Sequence, residues 1–158
     1  MKVQMIVGNE QLDFTVHTEL NFDPANVFDV IGEQPGKLAW WTALVAVKEQ
    51  ELADFVVDME ARTSAIELDI RKNSKSLEDQ YGKVTEGVIK AVLAANDEVV
   101  QLSTKMNEIK RDANILRAMA KGFDSRSSLM ATAGSMHRAE LEAGLRALTG
   151  RAKKGMME

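Results

Sequence analysis

From Asn96 to about Leu148 the chain carries one continuous helical pattern, and only a fold that gives this stretch a partner helix can bury it. Counting three and four residues alternately from Val99 gives Leu102, Met106, Ile109, Ala113, Leu116, Ala120, Phe123, Ser127, Met130, Gly134, His137 and Leu141. That is a heptad seam. It is apolar as far as Phe123. Beyond that point Ser127, Ser128, Ala131, Ala133, Gly134 and Ser135 keep it small, so a partner helix can approach closely. Residues 38–72 offer one, with Trp40, Trp41, Leu44, Val45, Leu52, Phe55, Val56, Met59, Ile66 and Ile70 at the same three-and-four spacing. A seam of this kind also admits another copy of the chain, and a homo-oligomer is expected from it.

The remaining elements follow from local signals. Val3, Met5 and Val7, then Leu12, Phe14 and Val16, alternate with polar residues on either side of Gly8 and Asn9, which predicts a β-hairpin over 3–17. A lone hairpin is marginal in water, so its apolar face must lie on the helices or on another copy. Asp23 before Pro24 predicts the start of a short helix reaching about Ile31. Gly32 and Pro35-Gly36 read as a break before the first long helix. The polar run from Asn73 to Gly82 reads as the loop between the long helices. Thr85 caps a shorter helix through Ala95, and Asn96 with Asp97 and Glu98 opens the last helix. The fold expected is therefore mainly α: a helical bundle of two long helices, about 38–72 and 96–148, plus shorter helices, with a small N-terminal β-hairpin. In domain terms residues 1–22 form the hairpin, 23–148 the bundle and 149–158 a flexible basic tail.

Charge is unevenly divided. The net charge is −4 over 158 residues, yet residues 1–100 hold 9 Lys/Arg against 18 Asp/Glu while 101–158 hold 11 against 6. An acidic front and a basic back suit electrostatic assembly or the binding of a polyanion by the back half. Arg71, Lys72 and Lys75 cluster where the first long helix ends. Lys110, Arg117 and Lys121, seven and four residues apart, line one flank of the last helix, with Arg126 and Arg138 beyond them. Helix C-termini attract cations for local reasons, which accounts for part of the first cluster. Repeated around an oligomer axis, such patches become a track for phosphates.

Other chemistry finds no support. With no cysteine there is no disulfide scaffold, thiolate metal site or cysteine nucleophile, and an intracellular, cytoplasmic setting is expected. His137 and Glu140 could share a helix face, but two ligands do not make a metal site. The run from Gly32 to Lys37 is one residue short of a phosphate loop and has Leu38 where Ser or Thr should stand. The carboxylates Glu49, Glu51, Asp54, Asp58 and Glu60 read as a solvated face, and no catalytic constellation, metal or cofactor is expected. No stretch reads as a membrane span. Trp40 and Trp41 resemble stacking platforms for bases, but adjacent helical residues point about 100° apart, and both are expected in the core.

The segment KLAWWTALVAVKEQELADF, the loop near a basic helix end, and the run NILRAMAKGFDSRSSLMATAGSMHRAEL together resemble the UvsY-like recombination mediators of phages, over residues 37–142. The resemblance implies a non-enzymatic oligomer that binds single-stranded DNA without sequence preference. It also implies that the protein helps a RecA-like recombinase replace the single-strand-binding protein, in the cytoplasm of the host cell. The DNA-contacting basic pair of that family falls on Arg71 and Lys72, and Arg126 and Arg138 match basic positions of its C-terminal run. The hairpin lies outside the family pattern. The expected nucleic-acid contacts are thus Arg71, Lys72, Lys75, Lys110, Arg117, Lys121, Arg126 and Arg138. The rival reading is a structural or scaffolding assembly protein, such as one of a virion, in which the seam is the whole story.

Overall fold

The structure is a computed structural model that describes residues 1–21, 23 and 30–155. Two strands, β1 (Lys2–Val7) and β2 (Glu10–Thr15), pair as an antiparallel hairpin. They are followed by the short α1 (Val16–Leu20), the long α2 (Gln34–Lys72), the short α3 (Ser74–Tyr81) and α4 (Glu86–Ala94), and the long α5 (Asp97–Gly155). The two long helices pack together, as the paired apolar patterns require. The short helix expected from Pro24 falls on residues 24–29, which lie outside the described residues, as do 156–158 of the expected tail. Helical backbone in α5 continues to Gly155, through most of the stretch expected as that tail.

Three elements differ from expectation, each for a local reason. The ladder's last bond runs from the Val16 N–H to the Met1 carbonyl, after which the backbone bonds within itself, Asn21 N–H to His17 C=O. Val16 and His17 therefore begin α1 and do not extend β2. At the next boundary, α2 starts at Gln34, not Leu38, because Pro35 sits in the first turn. Its missing N–H costs nothing there, since the first four amides of a helix have no internal acceptor. The polar run 73–82 is helical rather than a loop: α3 occupies it and ends at Gly82, whose φ of +75° is open to glycine. The caps at Thr85 and Asn96 are as expected. Thr85 Oγ1 accepts from the Val88 N–H at 3.4 Å, and Asn96 Oδ1 accepts from the Glu98 and Val99 N–H groups at 3.0 and 3.3 Å.

The chain divides into two compact units. The first holds the described residues of Met1–Gln4, Leu12–Ala43 and Arg117–Glu158. Its core is aromatic. Trp41, 1% exposed, meets Phe14 edge-on with centroids 4.8 Å apart and lies nearly parallel to Phe123 at 5.9 Å. Met119, Met130 and, from β1, Val3 are buried as well. Each such side chain contributes roughly 1.5–3 kcal/mol by leaving water. Buried Gln34 ties the start of α2 to α5, donating to the Phe123 carbonyl at 2.7 Å and to Ser127 Oγ at 3.1 Å.

The second unit holds Met5–Gln11 and Leu44–Leu116. Here the helices run antiparallel: the Lys105 ammonium lies 5.4 Å from the Phe55 ring centre, and Arg62 reaches Glu98 at 3.9 Å. Leu44, Ile89, Leu102, Ala113 and Leu116 are buried. The hairpin tip lies on α2. Lys48, 5% exposed, donates to the Ile6 carbonyl at 2.7 Å and bridges Glu51 at 2.8 Å, while Glu51 accepts from the Gly8 N–H. Gly8, at φ +58°, supplies the left-handed residue of the turn.

Candidate nucleic-acid interface

In the second unit the expected contacts begin at the C-terminus of α2. Unsatisfied carbonyls make this end of a helix negative and draw cations to it, and Arg71 and Lys72 occupy the last turn. Arg71 does more than offset the dipole. Its guanidinium donates to Glu67 on the preceding turn at 2.6 Å and to Glu86 at 2.7 Å, stapling the end of α2 to the start of α4. The hydrogen bonds it donates to Glu86 first, then to Glu67, raise the Arg71 pKa. Reciprocally, the bond from Arg71 is the main cause of the lowered Glu86 pKa. Lys72, Lys75 and Lys110 are exposed. The stretch from Glu67 to Glu86 holds Glu67, Asp69, Glu78, Asp79 and Glu86 against Arg71, Lys72, Lys75 and Lys83. The cluster is therefore embedded in carboxylates rather than set in a net-positive field.

In the first unit Arg117, Lys121 and Arg138 are exposed on α5. Arg126 is not. It is 6% exposed, its guanidinium lies 5.5 Å from the Phe123 ring centre, and it donates to the Glu19 carbonyl in the last turn of α1 at 3.0 Å. A carbonyl at the negative end of a helix holds this buried cation in place. Along α5 from Lys105 to Arg126 the sequence carries six cations, Lys105, Lys110, Arg111, Arg117, Lys121 and Arg126, against Glu108, Asp112 and Asp124. Arg111 is bridged to Asp112 at 3.0 Å. Of these, Lys110, Arg117 and Lys121 recur at helical spacing on one flank, whereas Arg126 is buried and Arg111 is ion-paired.

The sequence did not single out Lys105, Lys48 or Gln34. Lys48 could have been found, since it stands seven residues after Trp41 and four after Leu44, on the buried stripe of α2. Lys105 helps line a groove of about 230 Å³ with Phe55, Asp58, Arg62, Glu98, Gln101 and Leu102. The expectation that both tryptophans are core fails for Trp40, which is 45% exposed while Trp41 is buried. Neighbouring positions on a helix diverge by about 100°, and Trp41 holds the inward one. His137 and Glu140 approach to 4.0 Å on the surface. Among the described residues no group of three or more His, Cys, Asp or Glu side chains could hold a metal ion, and no helix is long and apolar enough to cross a membrane.

No protein-family model matches the sequence, and no curated protein matches it. Its fold does have a counterpart among solved structures. The crystal structure of the recombination mediator protein UvsY of bacteriophage T4 superposes on this chain with a TM-score of 0.65 at 14% sequence identity, covering 79% of this chain and 92% of that one. The chain shares the fold of that phage recombination mediator.

Proposed function

We propose that this protein is a non-enzymatic recombination mediator that binds single-stranded DNA without sequence preference. It acts as a homo-oligomer and helps load a RecA-like recombinase in place of the single-strand-binding protein. The observation that carries the reading is the conjunction of the shared fold with a cation-rich α5 on which Lys110, Arg117 and Lys121 are exposed. Non-specific strand binding needs phosphate neutralisation more than base readout, and an array of exposed lysines and arginines supplies it. In each unit the contacts are those whose charge reaches solvent: Lys72, Lys75 and Lys110 in the second, Arg117, Lys121 and Arg138 in the first. Arg71 contributes at reduced strength because two carboxylates already share its charge. Arg126 acts indirectly, by fixing α1 against α5.

The test is fluorescence anisotropy of labelled oligo-dT titrated with the protein at low and moderate salt. Tight, steeply salt-dependent binding that drops in Lys110→Ala/Arg117→Ala/Lys121→Ala supports the reading. No binding at low salt by folded protein overturns it and favours a structural assembly protein. One observation leans toward that rival: Leu129, Met136, Leu141 and Leu145 on α5 are 57–62% exposed, apolar side chains that self-association would cover.

A further inference from the structure

We propose that Trp40 is a stacking platform for a base of bound single-stranded DNA, a contact that rests on the strand-binding reading and adds to its phosphate contacts. Tryptophan is among the side chains most worth burying, yet Trp40 is 45% exposed beside a tryptophan that is 1% exposed. The exposed ring is well supported. Its centroid lies 4.8 Å from that of Trp41 at an interplanar angle of 76°, and Trp41 is itself held by Phe14 and Phe123. An indole braced in this way loses little freedom when a base stacks on it. Its surroundings on α2 leave room. Gly36, one turn earlier, faces open space, and Ala39 and Ala43 are exposed with no atoms beyond Cβ. On the side of Gly36 and Ala43 a planar ring brought to Trp40 therefore meets no bulky neighbour on its own helix, while Lys37 and Leu44 stand on the other side.

Charge is not what this spot offers. Lys37, three residues before Trp40, is bridged to Glu33 at 3.3 Å. The attraction is the ring, and it differs from phosphate contact in a measurable way. Stacking on an aromatic is sequence-tolerant because every base has a π-face, and it releases no counterions. Removing the ring therefore lowers affinity without changing the salt slope.

The experiment uses full-length protein and two labelled probes: oligo-dT and a matched abasic deoxyribose-phosphate oligomer. Trp40→Ala weakens oligo-dT binding by roughly 5- to 150-fold, leaves abasic binding and the salt slope unchanged, and Trp40→Phe recovers part of the loss. Oligo-dT quenches the intrinsic fluorescence of the wild type, and Trp40→Ala, which retains only the buried Trp41, loses that quenching. Equal affinity of wild type and Trp40→Ala for oligo-dT overturns this inference and leaves the strand-binding reading standing. An equal loss on both probes, accompanied by a changed sedimentation coefficient, also overturns it and makes Trp40 a contact between copies of the chain. Failure of the wild type to bind either probe at low salt overturns the strand-binding reading and this inference together.

Discussion

Arg126 and Lys121 are five residues apart on one helix and carry the same charge, but their surroundings give them different work. The Lys121 ammonium is exposed, whereas the Arg126 guanidinium is buried over Phe123 and donates to the Glu19 carbonyl. Hydrogen bonds from charged groups contribute roughly 1.5–3 kcal/mol, so Arg126→Ala lowers stability by about that amount in urea unfolding. Weakened oligo-dT binding at unchanged stability would instead make it a phosphate contact. Arg71 gives a pH signature. Its hydrogen bond is the largest influence on Glu86 and lowers that pKa below its ordinary value of 4.5. The folded Glu86 thus takes its proton at lower pH than the unfolded one, and the unfolded chain binds more protons in between. The contribution is complete above the unfolded value and lost as pH falls through the folded one. Urea midpoints from pH 7 downward therefore show a shallower acid fall in Arg71→Ala than in wild type. The Glu67 partner of Arg71 is legible in the sequence because it stands four residues earlier on the same helix. Glu86 is not, since fifteen residues and a whole short helix intervene.

At the scale of elements, legibility tracked whether the signal was local. The hairpin was readable from its period of two and Gly8, and the starts of α4 and α5 from Thr85 and Asn96, whose side chains reach only two or three residues along the chain. The long helices were readable from their apolar spacing. The run 73–82 does not read as helix because it is nearly all polar, leaving Leu77 as its lone large aliphatic, so no amphipathic pattern marks it. Its stop at Gly82 has φ +75° and ψ −138°, a region nearly closed to other residues. Gly82→Ala should therefore destabilise by about 1–3 kcal/mol. Gly134 is the reverse case, because a Cβ there meets nothing within 4 Å and the backbone is helical. Gly134→Ala should stabilise α5 by up to about 1 kcal/mol on helix propensity, read from the thermal midpoint. Opposite signs for the two substitutions separate backbone strain from propensity. A loss at Gly134, with a smaller particle in sedimentation, would mean that its missing side chain serves close approach of another copy.

For the molecule as a whole, the division of charge sets what can approach it. The front 100 residues carry twice as many acids as bases and the rest nearly the reverse, and the proposed strand-binding reading therefore puts the phosphate contacts chiefly on α5. Pairing then decides how much each cation counts, because a cation already matched by carboxylates has fewer counterions to release when a phosphate arrives. Lys110 and Lys121 are exposed on a helix where cations outnumber acids, whereas Arg71 sits between two carboxylates. For single strands the slope of log K against log salt changes by about 0.7 for each phosphate neutralised. Lys110→Ala/Lys121→Ala should therefore flatten the slope by roughly 1.4 per chain engaged, while Arg71→Ala flattens it by clearly less than one phosphate's share. Titrating labelled oligo-dT across a salt series with each variant measures both. A full share lost at Arg71 would show that DNA displaces Glu67 and Glu86 from its guanidinium, and would move the principal contact from α5 to the end of α2.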